Sequence, residues 1–181
     1  MIRATSLLIG LMLTASPAAA QRTMMSPNVV AHIKALPTQL AGLSPDYGDS
    51  SSGYGGPMRA YRSNNPLDPV IAVVFADAQR MSDWHALAEY GRASPRQAGV
   101  IDTLFEGKFS LDGRPPGRNF FGDYLTKQGI KQSWIADVDG VRVTVLATIY
   151  RAEDRRRVFD AIRRDLFGGV TMEKLSIAEA N

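Results

Sequence analysis

The stretch SWIADVDGVRVTVLATIY, residues 133–150, decides the fold. Its two apolar runs flank Asp139-Gly140, and the type I′ turn that joins such runs needs a positive φ at both central residues. A two-residue turn fixes three directly opposed pairs: Val138 with Val141, Ala136 with Val143, and Trp134 with Val145. The stretch therefore predicts a β-hairpin whose paired apolar side chains share one face.

The second strand of this hairpin alternates between apolar and polar residues, which is the pattern of a strand with a buried face. The expected buried stripe is Val141, Val143, Val145, Ala147 and Ile149. Arg142, Thr144 and Thr148 are expected on the opposite side.

The chain before the hairpin contains four more runs that favour strands. Residues 70–75, VIAVVF, form a continuous apolar run typical of a strand buried on both faces. Residues 58–62 are predicted as an edge strand. Residues 105–111 and 119–125 are predicted as two further strands.

Four segments have the start signals or the periodicity of helices. Ser26-Pro27 opens a helix predicted over residues 27–36, and Ser94-Pro95 opens one predicted over residues 94–104; in each pair serine caps the helix and proline occupies its first position. Residues 82–91 carry apolar side chains at helical spacing and end at a glycine. Residues 152–167 form an amphipathic helix, with Glu153–Arg157 and Asp160–Arg164 pairs expected on its solvent face.

Strands joined by hairpins, with helices before and after them, predict an α+β fold rather than a parallel α/β fold. The expected architecture is an antiparallel sheet of four to six strands with amphipathic helices packed on one face. A short N-terminal helix and a Gly/Ser-rich loop precede it. The predicted divisions are a signal peptide (1–20), an N-terminal helix and flexible linker (21–57), a single α+β domain (58–168) and a C-terminal tail (169–181).

The N-terminus has the layout of a cleavable signal peptide. Arg3 precedes a short apolar stretch, and Ala18-Ala19-Ala20 offers a small-residue cleavage site before Gln21. A membrane-spanning helix needs about 20 apolar residues, and the stretch is too short to be one. We therefore expect a soluble periplasmic or secreted protein without a transmembrane anchor.

The chain contains no cysteine. This excludes a disulfide, a lipidated cysteine, a thiol nucleophile and a thiolate metal site. Loss of Arg3 with the signal peptide lowers the formal net charge from +3 to +2. So small an excess does not favour nucleic acid as a partner.

The triplet Gly48-Asp49-Ser50 resembles the nucleophile block of GDSL esterases, and it also resembles part of the GDSGGP motif of trypsin-like proteases. Neither family is supported by the surrounding sequence. No buried strand precedes Ser50, and no histidine follows His85. Because a serine without a base is a poor nucleophile, the Gly/Ser-rich stretch is better interpreted as a flexible loop.

The two histidines, His32 and His85, do not form a motif. Asp83 stands two positions before His85, and residues at that spacing on a helix point in different directions. Zinc sites use three or four ligands, so two isolated histidines predict no metal centre. Asp137-x-Asp139-Gly140 resembles a fragment of a calcium loop, but the hairpin accounts for it and Thr148 stands where the loop needs glutamate.

Three other features of the sequence have the chemistry of binding surfaces. Arg155, Arg156 and Arg157 are interleaved with acidic residues, which favours a solvated, salt-bridged helix face. Arg114 and Arg118 flank a double proline and could clamp a carboxylate. Tyrosines among glycine and serine suit adaptable contacts, although a disordered linker is the favoured interpretation. These tyrosines are Tyr47, Tyr54 and Tyr61.

The sequence thus predicts no catalytic residue, cofactor or metal. Our main hypothesis is an exported, non-catalytic binding or interaction module of the cell envelope, whose partner is an envelope protein or a small ligand. The alternative is a small periplasmic or secreted hydrolase that uses Ser50 or His85.

The signal peptide gives the first testable prediction. The exported protein should begin at or near Gln21, because signal peptidase cuts after the small residues that end at Ala20. N-terminal sequencing of the protein from the periplasm or the medium measures this. An intact Met1 in the membrane fraction would contradict the prediction.

Overall fold

The computed structural model describes residues 25–47, 57–78, 84–113 and 119–174. Within these residues the strands form one antiparallel sheet with the order β1-β2-β3-β7-β6-β5-β4-β8. The strands are β1 (Ser44–Asp46), β2 (Met58–Arg62), β3 (Val70–Asp77), β4 (Val100–Leu111), β5 (Asn119–Thr126), β6 (Gly129–Val138), β7 (Val141–Ile149) and β8 (Val170–Lys174).

Three helices accompany the sheet in the described part of the chain. They are α1 (Pro27–Lys34), α2 (Trp84–Gln97) and α3 (Asp154–Ala161), and α3 continues into a π-helical turn at Ile162–Leu166. The Ser26 hydroxyl caps α1 by accepting a hydrogen bond from the Val29 amide at 3.4 Å. The Ser-Pro signal therefore located the start of this helix correctly.

The β6–β7 hairpin has the predicted register. Val138 pairs with Val141, and the other two predicted pairs follow in step along the strands. Asp139 has φ 52° and Gly140 has φ 80°, as a type I′ turn requires. Both sides of β7 are covered, since Arg142 and Thr144 on its far side are also buried.

The predicted fold class is wrong in two respects. The sheet has eight strands rather than four to six, and its helices are short and lie on both faces rather than on one. The reason lies in β5 and β6, which alternate side chains between two apolar surfaces. A sheet with two apolar surfaces needs cover on each of them.

The larger core lies on the first face of the sheet, under α1 and α3. Trp134 of β6 is fully buried at its centre. The smaller core lies on the second face, where Leu87 and Ala88 of α2 pack against the sheet. The sheet residues of this smaller core are Phe120, Tyr124 and Ile135.

The helix predicted over residues 94–104 does not exist as a separate element. Ser94 and Pro95 lie inside α2, which ends at Gln97 and is followed by Gly99 with φ 74°. A glycine in this conformation is a common helix stop. β4 then begins at Val100, so the Ser-Pro pair was mistaken for a second helix start.

The sheet extends beyond the boundaries that the sequence suggested. β1 lies in the segment interpreted as a linker and pairs with β2, which is therefore not an edge strand. β8 lies in the segment interpreted as a tail and pairs with β4. The division into a single domain over 58–168 stays a prediction.

Gly91 of α2 gives a prediction about packing. A Cβ there would overlap the Phe120 ring and come within 3.1 Å of the Ile135 Cδ1 atom. Gly91→Ala should therefore lower the free energy of unfolding by about 1–3 kcal/mol, the usual cost of overpacking, although alanine favours helices by about 1 kcal/mol.

Urea unfolding of the Gly91→Ala variant measures this cost. Ala93→Gly, at an exposed position of the same helix, is the control because it reports helix propensity without a core contact. A Gly91→Ala variant more stable than the wild type would show that α2 does not pack closely on Phe120.

Candidate functional site

Two polar residues interrupt the apolar first face of the sheet. Asp123 of β5 lies directly opposite Gln132 of β6, and Phe105 of β4 lies opposite Asp123 on the other side. Directly opposed residues on neighbouring antiparallel strands point to the same face. The three side chains therefore form one row, two residues along the strands from Trp134.

A pocket of about 440 Å³ opens over this row, between the sheet and the start of α3. Its apolar walls are Phe105, Phe121, Phe159 and Met172, and its polar residues are Asp123, Gln132, Arg155 and Arg156, with Ala152 beside them. Asp123 is 3% exposed and Gln132 is 1% exposed, so the polar pair is buried as deeply as the Phe121 wall, which is 2% exposed.

Asp123 is paired on one side only. The Arg155 Nε atom donates to Oδ2 of Asp123 at 2.7 Å. The other carboxylate oxygen, Oδ1, is buried and has no hydrogen-bond partner among the described residues. The ion pair links α3 to the centre of the sheet and leaves half of the carboxylate unsatisfied.

Gln132 is in a similar position. Its Nε2 atom donates to the main-chain oxygen of Arg155 at 3.4 Å. Its Oε1 atom is buried and finds no donor in the described part of the chain. The polar pair thus contributes two unpaired acceptors in one place.

Burial raises the pKa of Asp123 above its ordinary value of 3.8. Arg155 acts in the opposite direction through a hydrogen bond and its charge. The Gln132 side chain adds a weaker contact of the same kind, but its placement does not meet the geometry of a hydrogen bond, so both oxygens stay unpaired. The loss of water around the carboxylate outweighs these contacts. The charged form of Asp123 is therefore less stable in the folded protein than in water.

The apolar walls are held by an aromatic cluster. The Phe121 and Trp134 rings lie 4.2 Å apart, and Phe159 lies 5.3 Å from Phe121 and 5.1 Å from Trp134. Gly107 leaves room for Phe105, since a Cβ there would come within 2.7 Å of that ring. The walls are therefore anchored to the core through Phe121, and the half-buried Phe105, Phe159 and Met172 pack against it.

The second face carries a polar cluster that is satisfied. Arg92 donates to both carboxylate oxygens of Glu106, at 2.9 and 2.6 Å, and the Tyr124 hydroxyl also donates to Glu106. Burial acts to raise the pKa of Glu106, but these hydrogen bonds hold it below its ordinary value. This cluster braces α2 against the sheet.

Three other buried side-chain polar atoms lack a partner within the described ranges. They belong to Trp84, Ser133 and Trp134, none of which lines the pocket. Asp123 and Gln132 differ from these because both border a cavity large enough for a ligand.

Of the residues considered for catalysis, the two histidines lie on different helices, and Ser50 lies outside the described residues. His85 is exposed on α2, on the second face, with its ring 5.8 Å from that of Trp84. His32 lies on α1, where its Nδ1 atom is 2.9 Å from the Asn28 main-chain oxygen. Among the described residues, no group of three His, Cys, Asp or Glu side chains could hold a metal ion.

The arginines of α3 form ion pairs, but not the ones predicted. Arg157 pairs with Asp154 at 2.7 Å rather than with Glu153. Arg164 pairs with its neighbour Asp165 at 2.6 Å rather than with Asp160. Arg155 points toward the sheet to reach Asp123, although its side chain stays partly exposed.

Local contacts account for those of the remaining candidates that lie in the described residues. Asp137 pairs with Arg142 across the hairpin at 2.8 Å. Tyr61 is buried and donates to the Pro37 oxygen at 2.8 Å, whereas exposed Tyr47 lies under the guanidinium of Arg59. Tyr54, Arg114 and Arg118 lie outside the described residues.

Sequence reasoning did not single out Asp123 or Gln132. The available signal was the alternation of β5 and β6, because both residues occupy positions that point to the same side as Trp134. A charged or amide residue at an inward position of a strand is unusual, since buried polar groups need partners. That both lie in one row depends on the pairing of the strands.

No protein-family model and no curated protein matches the sequence. Among solved structures, the chain is similar to LpqN, a Mycobacterium tuberculosis protein involved in cell envelope biogenesis. The two are 12% identical with a TM-score of 0.34, over 64% of this chain and 70% of the LpqN chain. A likeness this low supports no conclusion about fold or function.

None of the helices in the described ranges is long and apolar enough to cross a membrane. The expected signal peptide, residues 1–20, lies outside those ranges and is not tested by the structure.

The raised pKa of Asp123 predicts how stability depends on pH. The folded protein holds this proton more tightly than the unfolded chain does. Ionisation of Asp123 therefore costs stability as the pH rises from about 3.8 through the folded-state pKa, and the cost is constant above it. Asp123→Asn removes this titration.

The free energy of unfolding by urea, measured at several pH values, tests this. Relative to Asp123→Asn, the wild type should lose stability between acid and neutral pH and then level off. Asp102→Asn, at an exposed position of β4, is the control. A wild type that instead gained stability over the variant with rising pH would show that the Arg155 pair outweighs burial.

Proposed function

We propose that this chain is an exported, non-catalytic binding module of the cell envelope, and that its pocket beside α3 holds a small ligand. The observation that carries the proposal is the pair of buried, unpaired oxygens on Asp123 and Gln132. A buried polar group without a partner costs about 1–3 kcal/mol. A ligand with hydrogen-bond donors would remove this cost, so the pair favours an occupied pocket.

The size and the lining of the pocket support the same proposal. A volume of about 440 Å³ falls within the range of roughly 300–1,000 Å³ that small-molecule sites occupy. Such sites combine apolar walls with a few polar groups that orient the ligand. Here three phenylalanines and a methionine provide the walls, and four polar residues complete the lining.

The chemistry of the lining favours binding over catalysis. The carboxylate of Asp123 is held by Arg155, and none of the described lining residues is a serine, threonine, histidine or lysine. A nucleophile next to a general base is the usual basis of hydrolysis. The residues that border this pocket support recognition instead.

Export rests on the sequence alone. Residues 1–20 have the order of charged, apolar and small residues that signal peptides share. If the protein is exported, its ligand or protein partner is encountered in the envelope or in the medium.

The alternative, a hydrolase that uses Ser50 or His85, makes a separate prediction. Its activity would depend on one of these two residues and not on the pocket, because His85 lies on α2 across the sheet. Ser50→Ala and His85→Ala therefore distinguish the alternatives in a panel of esters and glycosides. Turnover lost on either change, with folding retained, would support the hydrolase.

Blocking the pocket is the direct test of the binding proposal. Ala152 is exposed and borders the cavity, so Ala152→Trp should fill it without disturbing the core. We expect the neutral apolar dye N-phenyl-1-naphthylamine to bind the wild type at one site and to lose at least tenfold in affinity for Ala152→Trp.

Fluorescence titration of the dye provides the measurement. Glu153→Trp is the matched control, since this exposed neighbour does not line the cavity and should leave binding unchanged. Equal affinity of both variants and the wild type would place dye binding elsewhere and overturn the assignment of the pocket.

A further inference from the structure

We propose that the pocket selects a neutral ligand that presents two adjacent hydroxyl groups to Asp123 and Gln132 and an apolar part to the phenylalanines. A sugar, or a glycerol-like head group on an apolar chain, has this chemistry. The inference rests on the proposed function, because it names the class of ligand for the same pocket.

The number and placement of the acceptors suggest a vicinal diol. Asp123 and Gln132 are directly opposed on neighbouring strands, which puts their Cβ atoms about 4.5–5.5 Å apart. Each side chain has one unpaired oxygen, and both point to the same face of the sheet. Two donors on adjacent carbon atoms of one ligand can satisfy both oxygens at once.

The charges around the pair argue against a cationic ligand. The guanidinium of Arg155 already contacts Asp123, and Arg156 also borders the cavity. Of these two arginines, Arg156 forms its ion pair outside the pocket, with Asp160 at 2.8 Å, whereas Arg155 forms its ion pair with Asp123. A ligand cation at Asp123 would therefore lie beside a guanidinium that shares the same carboxylate, and like charges repel strongly where water is excluded.

The same pair argues against an anionic ligand. An anion brings acceptors only, and Asp123 and Gln132 present unpaired acceptors to it. An anion held by Arg155 would leave both oxygens without donors and would add a negative charge beside a buried carboxylate. A hydroxyl group is a neutral donor and avoids both costs.

Access to the oxygens depends on Arg155. Both unpaired oxygens are closed to water in this structure, whereas the Arg155 side chain is 40% exposed. A side chain with this much exposure can shift sideways while its Nε atom keeps the bond to Asp123 and its main-chain oxygen keeps the bond to Gln132. Binding of a ligand beside it would shield the new hydrogen bonds from water, which strengthens them.

The test uses four probes that share an eight-carbon chain and differ in the head group. They are octane-1,2-diol, octan-1-ol, octylammonium and octanoate. Isothermal titration into the full mature chain should show octane-1,2-diol binding about tenfold more tightly than octan-1-ol, the gain expected from one more hydrogen bond. The two charged probes should bind no better than octan-1-ol.

Two variants remove one acceptor each, and each has a matched control. Asp123→Asn can place an amide donor where the unpaired oxygen lies, and Gln132→Leu removes the other oxygen. Asp102→Asn and Gln128→Leu make the same changes at exposed positions outside the pocket. Both pocket variants should lose the preference for the diol, while both controls should keep it; circular dichroism confirms that each variant is folded.

The outcomes separate this inference from the proposed function. Equal binding of all four probes, or tightest binding of octylammonium or octanoate, would overturn the selection of a diol while leaving the pocket as a binding site. Failure of every probe, together with dye binding that Ala152→Trp does not weaken, would overturn the pocket itself. A diol preference that survives both pocket variants would also contradict the inference.

Discussion

The packing of Trp134 is the interaction on which the rest of the structure depends. Its ring lies against four phenylalanines that come from β4, β5, α3 and the chain just before β8, which are Phe109, Phe121, Phe159 and Phe167. Aromatic pairs of this kind each contribute about 0.5–1.5 kcal/mol beyond the apolar area that they bury. The Trp134 side chain thereby connects the elements that pack on the first face of the sheet. The register of the hairpin determines that this side chain points to that face. The pocket begins one row along the same strands, and two of its walls, Phe121 and Phe159, belong to this cluster.

The register of the hairpin could be predicted to the residue, because a two-residue turn with Asp139-Gly140 allows only one register, although β6 begins at Gly129 rather than at Ser133. The starts of α1 and β3 were also predicted, since local signals determine both. The second covered face was missed because its cover depends on strand pairs far apart in sequence. β1 and β8 are short, and only their neighbours identify them as strands. The prediction of a separate helix at Ser94-Pro95 was wrong because the local pattern fits a helix start, whereas the described structure places the pair within α2.

The candidate site was harder to predict than the fold for a related reason. Nothing in the sequence distinguishes Asp123 and Gln132 from other polar residues. They form a candidate site only because the pairing of β5 with β6 places them side by side. The sequence predicts that Arg155 lies on the solvated face of its helix. Its contact with Asp123 becomes evident only from the position of α3 over the sheet. Its neighbours Arg156 and Arg157 do pair along the helix, as such residues usually do. The ion pair that distinguishes Arg155 from its neighbours joins α3 to β5. The periodicity of a sequence cannot show a contact between two separate elements.

The two faces of the sheet show how one fold handles buried charge in two ways. On the second face, Glu106 receives hydrogen bonds from Arg92 and Tyr124, so its carboxylate is satisfied within the chain. On the first face, Asp123 has a single arginine partner and Gln132 lacks a donor, although the same strands could have carried apolar residues there. Stability alone would favour the apolar choice, since a partly satisfied buried polar pair is worse than a packed core. Local departures from good packing are expected where a protein meets its ligand. Glu106 and Asp123 lie on opposite faces of the same sheet, and only the Glu106 carboxylate is fully hydrogen-bonded. This contrast is the strongest reason to propose a function for the first face.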